Sequence, residues 1–186
     1  MKNILILGGE GYIGNAIHEY FSKKNFRITS FDNLIYNQKN KKKNFKKYKF
    51  IKGDIRKKRD LKKINKEYDA VIFLAGLVGD PITNKYKKIS SDINESATKQ
   101  VIKQIYNKGN AKKFIFISTC SNYGMSKSKY LTENHKLKPL SPYAKSKVKI
   151  EKFILGLKKK KNFNPTILRF ATAFGYSNRM RYDLTV

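Results

Sequence analysis

The chain has 186 residues and a formal net charge of +29, because 42 lysine and arginine residues outnumber 13 aspartate and glutamate residues. Such a charge is typical of nucleic-acid binding, but only six of the basic residues are arginine, the side chain that best reads phosphates and bases. We therefore interpret the lysines as a solvated surface and expect no nucleic-acid partner. The sequence has no apolar run of about 18 residues, so we expect a soluble protein without membrane contact. Its single cysteine, Cys120, excludes an internal disulfide and favours a cytoplasmic location.

Short apolar runs alternate with segments of helical periodicity along the chain, which predicts an α/β fold with a doubly wound parallel sheet of Rossmann type. Strands are expected at 4–7, 27–31, 48–51, 70–74, 114–117 and 166–170. The strongest helical patterns lie at 12–24, 91–107 and 142–157, the last with Ser141 as a cap and Pro142 at the first helical position. The polar segment 33–47 has no periodicity and is predicted to be a loop.

A glycine-rich turn directly follows the first predicted strand. Gly8, Gly11 and Gly14 have the spacing of a dinucleotide-binding fingerprint: the first allows a sharp turn, the second allows backbone to approach a pyrophosphate, and the third allows the helix to pack closely on the sheet. The helix N-terminus would offer N–H groups and a favourable dipole to the phosphates. Because Asp32 ends the next apolar run at a suitable distance, the pattern predicts a dinucleotide site.

A Tyr-x-x-x-Lys pair places a phenol and an ammonium one helical turn apart. A lysine so placed would stabilise tyrosinate and lower the tyrosine pKa from about 10 toward the range of a general base. Four pairs fit this spacing: Tyr20 and Lys24, Tyr48 and Lys52, Tyr123 and Lys127, and Tyr143 and Lys147. Context favours Tyr143, because it opens a predicted helix downstream of a hydroxyl-rich strand end at 118–121, where an open parallel sheet binds ligands.

Seven motifs occur in a characteristic order: GGEGYIG at 8–14, DN at 32–33, GDIR at 53–56, LAG at 74–76, STCSNYG at 118–124, YAKSK at 143–147 and LRFAT at 168–172. Together they resemble the NAD-dependent epimerase/dehydratase branch of the extended short-chain dehydrogenase/reductase family, the group that contains UDP-glucose 4-epimerase. The similarity extends over essentially the whole chain.

The resemblance implies that NAD is the cofactor and that no metal is needed. The implied cofactor-binding residues are Gly8, Gly11, Tyr12, Ile13, Gly14, Asp32, Asn33, Asp54, Ile55, Leu74, Ala75, Gly76, Asn94, Tyr143, Lys147 and Phe170. Asp32 would favour NAD over NADP, because its carboxylate accepts hydrogen bonds from ribose hydroxyls and repels a 2′-phosphate.

The resemblance also implies a nucleotide-sugar substrate. Thr119 would hydrogen-bond the reacting sugar hydroxyl, Tyr143 would take its proton, and Lys147 would hold the nicotinamide ribose. The implied substrate-binding residues are Ser121, Thr172, Arg179 and Arg181. The expected activity is a sugar-nucleotide epimerase or a related 4-keto reductase. A nucleotide-sugar dehydratase is a less favoured alternative, since Cys120 and Ser121 stand where dehydratases carry an Asp-Glu pair.

This sequence is shorter than the members of the family that it resembles. Family members continue into a smaller C-terminal substrate domain, whereas this sequence ends at Val186. We therefore expect a Rossmann-type domain over 1–176 and only the start of a truncated substrate-binding region over 177–186. A dinucleotide-binding module without turnover, with a regulatory role, is the alternative function. The resemblance also allows a homodimer.

Overall fold

The computed structural model describes residues 1–36, 47–126, 128–157 and 163–181. Within them, six strands form one sheet, in which all neighbouring strands are parallel. The strands are β1 (Lys2–Leu7), β2 (Phe26–Asp32), β3 (Tyr48–Lys52), β4 (Tyr68–Phe73), β5 (Ala111–Thr119) and β6 (Pro165–Phe170). Their spatial order is β3-β2-β1-β4-β5-β6, which confirms the predicted doubly wound Rossmann-type sheet.

Six α-helices flank this sheet in the described part of the chain: α1 (Tyr12–Ser22), α2 (Lys58–Leu61), α3 (Asp80–Lys85), α4 (Lys87–Ser91), α5 (Thr98–Lys108) and α6 (Pro142–Leu157). Helix α6 has the predicted bounds, and the hydroxyl of Ser141 caps it by accepting from the Ala144 N–H at 3.2 Å. Helix α1 ends two residues before the predicted end. None of the described helices is long and apolar enough to span a bilayer.

The single helix predicted at 91–107 is instead two helices joined by a π-helical segment, Asp92–Ala97. The Thr98 hydroxyl donates to the carbonyl of Ile93, five residues earlier, at 2.8 Å, and Asn94 is buried at the segment's centre. Buried polar contacts therefore widen the helix here, which the apolar spacing does not reveal. Of the predicted loop at 33–47, residues 33–36 and 47 are described outside strands and helices, and residues 37–46 lie outside the described part.

Apolar side chains cover both faces of the sheet. In β1, Leu5 and Leu7 point into a core shared with α5 and α6, whereas Ile4 and Ile6 point into a smaller core on the side of α1. A parallel sheet covered on both faces needs continuous apolar strands, which is why the strands were visible as apolar runs in the sequence. The two cores hold the carboxyl ends of the strands in a fixed row.

The glycine-rich turn between β1 and α1 packs against the end of β4. Gly8 has φ +79°, and a Cβ there would lie 2.6 Å from the backbone nitrogen of Ala75. A Cβ on Gly14 would overlap the carbonyl oxygen of Gly9. Gly14 therefore allows α1 to pack closely on the turn itself, rather than on the sheet as the fingerprint suggested.

We expect Gly14→Ala to lower the free energy of unfolding by about 1–3 kcal/mol, because the added methyl group must displace the backbone of the turn. Gly156→Ala is the matched control, since Gly156 lies exposed in α6 and nothing lies within 4 Å of a Cβ built there. This control should raise the free energy of unfolding by about 0.5–1 kcal/mol. Urea denaturation measures both, and a Gly14→Ala protein as stable as the wild type would contradict the close approach.

Candidate functional site

A cavity of about 700 Å³ lies at the carboxyl ends of the strands. The glycine-rich turn and the segments that follow β2, β3, β4, β5 and β6 line it, which is where doubly wound sheets bind ligands. It brings together all but one of the predicted site residues: Gly8, Gly11, Tyr12, Ile13, Gly14, Asp32, Asn33, Asp54, Ile55, Leu74, Ala75, Gly76, Thr119, Ser121, Tyr143, Lys147, Phe170, Thr172, Arg179 and Arg181.

The exception is Asn94, which lies behind the cavity wall. Its side-chain oxygen accepts from the Leu77 N–H and its side-chain nitrogen donates to the Leu77 carbonyl, both at 2.9 Å. A Cβ on the neighbouring Gly76 would lie 2.9 Å from the Asn94 oxygen. Asn94 is therefore placed to support the loop after β4, one layer away from the cavity.

The N-terminus of α1 forms a cradle at the base of the cavity. Its first intrahelical hydrogen bond runs from the Asn15 N–H to the Gly11 carbonyl at 3.0 Å, so the amides of Tyr12, Ile13 and Gly14 have no acceptor within the helix. A Cβ on Gly11 would meet only the Gly8 carbonyl, at 3.3 Å, and would occupy space on the cavity side. With no acidic side chain in the first turn, these groups fit a pyrophosphate.

Asp32 ends β2 with its carboxylate held by backbone N–H groups. Glu10 donates to one oxygen at 3.0 Å and Leu34 to the other at 2.8 Å. Leu34 adopts a left-handed conformation, φ 57°, the only such non-glycine residue in the described part of the chain. Burial raises the pKa of Asp32, and the two N–H groups oppose that rise. Ribose hydroxyls would add further donors to this oriented carboxylate.

Glu10 ties the glycine-rich turn to two strands. Its side chain is 2% exposed, and one carboxylate oxygen accepts from the Ser30 hydroxyl at 2.6 Å and from the Tyr48 hydroxyl at 2.5 Å. Its carbonyl accepts from the Asn15 side chain at 2.9 Å. Sequence reasoning missed this residue, although an acidic residue within a glycine-rich turn of a lysine-rich chain was a usable signal.

Asp54 is the second carboxylate at this end of the cavity. It forms an ion pair with Arg56 at 2.6 Å, which holds the pKa of Asp54 below its usual range. The Asn33 side chain also hydrogen-bonds to it. Asp54 is thus already neutralised by a neighbour, whereas the hydrogen bonds that hold Asp32 come from neutral backbone groups.

Lys147 is buried between α6 and β5. Its ammonium donates to the Ile117 carbonyl at 2.8 Å and lies 5.7 Å from the centroid of the Tyr143 ring. Burial lowers the Lys147 pKa to about 8, an effect that the charge of Glu151 partly offsets. Thr119, at the end of β5, lines the same cavity, and its hydroxyl accepts from the Ser121 N–H at 3.2 Å. A phenol, an ammonium and a hydroxyl therefore line one end of the site.

A buried polar network supports this end from behind, and sequence reasoning did not find it. Glu151, 1% exposed, pairs with Arg169 at 2.8 Å and accepts from Asn122 at 2.7 Å. Asn122 also donates to Ser118, and Arg169 donates to the hydroxyl of Tyr123 at 2.8 Å. Glu151 raises the pKa of Arg169, so the guanidinium stays charged. The usable signal was a carboxylate on the apolar face of α6, one turn after Lys147.

The other Tyr-x-x-x-Lys pairs occupy different surroundings. Tyr20 is 62% exposed on α1, and Tyr48 lies in β3, bonded to Glu10. Tyr123 belongs to the 3₁₀ turn Cys120–Tyr123, and its partner Lys127 lies outside the described residues. Only Tyr143 among the four tyrosines lines the cavity.

The sequence matches the model of the NAD-dependent epimerase/dehydratase family over residues 4–185. The chain belongs to this family. It is 29% identical over 177 residues to the UDP-glucose 4-epimerase of Rhizobium meliloti, covering 94% of this chain and 52% of that protein.

Solved epimerases of the family have the same fold. The UDP-N-acetylglucosamine 4-epimerase of Methanobrevibacter ruminantium, in complex with UDP-N-acetylmuramic acid, superposes with a TM-score of 0.86 and 28% identity, covering 100% of this chain and 60% of that one. A mutant UDP-glucuronic acid 4-epimerase of Bacillus cereus, in complex with a fluorinated UDP-sugar and NAD, superposes with a TM-score of 0.85 and 27% identity. This match covers 95% of this chain and 59% of that one. The chain thus spans about half the length of the curated relatives it matches, and the division at residue 176 stays a prediction.

The lowered pKa of Lys147 predicts a pH-dependent stability. Between pH 8 and 10.5 the unfolded chain holds a proton that folded Lys147 has lost, so the free energy of unfolding rises with pH in this window. Relative to Lys147→Met, the wild type should gain about 3 kcal/mol across the window. Urea denaturation at several pH values measures the difference. Lys145→Met, exposed on the same helix, should leave the slope unchanged; parallel wild-type and Lys147→Met curves would contradict the burial of the charge.

Proposed function

We propose that this chain is the NAD-binding and catalytic part of a UDP-sugar 4-epimerase. The observation that carries the proposal is the convergence on one cavity of the N-terminus of α1, the oriented carboxylate of Asp32 and the set Thr119, Tyr143 and Lys147. The relatives named above support the substrate class, because UDP-glucose, UDP-N-acetylglucosamine and UDP-glucuronic acid share the UDP group and differ in the sugar.

NAD is the cofactor of this family, and the residues at the adenosine end suit it. The amides of the first turn of α1 would hold the pyrophosphate, and Asp32 would accept from the adenosine ribose. When bound, NAD supplies a ring that can accept a hydride and return it, so that an alcohol carbon is oxidised and then reduced with opposite stereochemistry.

The chain's own residues would handle the proton of that alcohol. Tyr143 would take the hydroxyl proton through its phenol oxygen and give it back when the carbon is reduced again. The ammonium of Lys147 would stabilise the tyrosinate, and its pKa of about 8 keeps most of it charged at neutral pH. Thr119 would donate or accept a hydrogen bond at the same hydroxyl, which keeps the hydroxyl aimed at Tyr143.

A dehydratase is less well supported than an epimerase. Elimination of water needs an acid and a base on the sugar, and the positions after Thr119 are Cys120 and Ser121, in the 3₁₀ turn Cys120–Tyr123. A dinucleotide-binding module without turnover, with a regulatory role, is the first alternative to the epimerase, ahead of the dehydratase. Measuring the turnover of UDP-sugars by this chain joined to a substrate-binding part distinguishes an epimerase from a dehydratase and from a module without turnover.

The cofactor proposal predicts that the 186-residue chain binds NAD and NADH more tightly than NADP and NADPH. Because ribose hydroxyls donate to an ionised carboxylate, NAD affinity should fall as the pH drops through the raised pKa of Asp32. Asp32→Ala should weaken NAD binding and remove this pH dependence. Titration calorimetry with the four dinucleotides measures both effects. Tighter binding of NADP by the wild type would mean that Asp32 does not face the ribose.

The base proposal predicts that Tyr143→Phe abolishes epimerisation while NAD binding stays within about twofold, since the change removes only a proton acceptor. Sugar positioning is worth about 7–11 kcal/mol of barrier, so we expect negligible turnover from residues 1–186 alone. The assay therefore uses the chain joined to the remaining part of the Methanobrevibacter ruminantium enzyme.

Tyr20→Phe is a matched control for this experiment. Lys24 lies 5.6 Å from the Tyr20 ring, almost the separation of Lys147 and Tyr143, yet Tyr20 does not line the cavity. The control should keep full activity. An active Tyr143→Phe enzyme alongside an inactive Tyr123→Phe enzyme would assign the base to the other tyrosine.

A further inference from the structure

The segment that follows β6, residues 171–181, returns across the top of the sheet. The Tyr12 hydroxyl donates to the Gly175 carbonyl at 2.5 Å, and the Ser177 hydroxyl donates to the Tyr12 carbonyl at 2.8 Å. Ser177 is 2% exposed, so this anchor is buried. The segment therefore lies over the N-terminus of α1, where the cradle for a pyrophosphate begins.

Beyond this anchor the segment reaches the loop after β2. The guanidinium carbon of Arg179 lies over the Tyr36 ring, 4.4 Å from its centroid, which is a cation–π contact. Tyr36 follows Asp32 by four residues, and all three side chains line the cavity. The charge of Arg179 is close enough to Asp32 to oppose the rise in its pKa. Arg179 thus lies at the Asp32 end of the cavity.

The two arginines of the segment occupy different places. A guanidinium nitrogen of Arg181 lies 3.9 Å from a Cβ built on Gly79, in the loop after β4. Arg179 lies beyond it, above β2. In the sheet order, β2 is three strands from β5, which is about 14 Å at the usual strand spacing. Thr119 ends β5, so the reacting sugar and Arg179 are at opposite ends of the site.

We propose that Arg179, in contact with the Tyr36 ring, binds the adenosine half of the dinucleotide and not the diphosphate of the nucleotide sugar. This inference rests on the proposed function, and it assigns Arg179 differently from the substrate role that the sequence suggested. The contact with the ring restrains the guanidinium, whose N–H groups can donate to phosphate and ribose oxygens.

Separate fragments test which half of the cofactor Arg179 contacts. Calorimetry on the 186-residue chain would use ADP for the adenosine half, nicotinamide mononucleotide for the other half, and UDP for the substrate. Arg179→Ala should weaken ADP and NAD binding about tenfold, the usual effect of losing one charge-assisted hydrogen bond, and leave nicotinamide mononucleotide and UDP unchanged. Arg27→Ala, exposed on β2, removes the same charge away from the cavity and should change nothing.

Two further variants distinguish binding from a change in fold. Tyr36→Ala should weaken ADP binding to a similar extent, and the double variant should lose less than the sum of the two, because the side chains act as one unit. Arg179→Lys should keep part of the ADP affinity, since it keeps the charge and loses the planar guanidinium. Thermal unfolding should be the same for all the variants.

Two results would overturn the inference. One is weaker UDP binding by Arg179→Ala with unchanged ADP binding, which would place the arginine on the substrate. The other is unchanged binding of every fragment by both single variants. A wild-type chain that binds neither ADP nor NAD would refute the proposed function itself, which keeps the two failures distinct.

Discussion

One end of the site depends on the buried carboxylate of Glu10, in the middle of the glycine-rich turn. Its side chain binds Ser30 and Tyr48 from β2 and β3, while its own N–H orients Asp32. A buried carboxylate is costly unless its oxygens accept hydrogen bonds, so these two bonds couple the turn to β2 and β3. The N-terminus of α1 and the Asp32 carboxylate are thereby fixed relative to each other by one residue that does not line the cavity.

The sequence revealed the strands and helix α6 because their signals are local. All six strands were predicted, and α6 was predicted with its bounds, since Pro142 and the Ser141 cap mark its start. Helix 91–107 was predicted as one element because its apolar spacing is regular across the π-helical segment. That segment depends on hydrogen bonds of Asn94 and Thr98, and the two bonds of Asn94 join the helix to the loop after β4. Such contacts do not change the apolar periodicity of the sequence.

The same distinction between local signals and tertiary contacts applies to the candidate site. Residues that belong to short motifs, such as Gly8, Asp32, Tyr143 and Lys147, were predicted and lie around one cavity. Pairs formed between distant segments were not found, because nothing in one segment specifies its partner. Arg179 on Tyr36 and Arg169 on Glu151 are of this kind. The motifs indicate which chemical groups line the cavity, whereas the contacts between distant segments determine at which end of the cavity each charged side chain lies.

The anchor between Tyr12 and the returning segment has a kinetic meaning apart from affinity. The segment lies over the amides that would hold a pyrophosphate, and a ligand that passed beneath it would have to break its two hydrogen bonds to Tyr12. Entry and exit then share one barrier, set by the opening of the protein rather than by the strength of its contacts with the ligand.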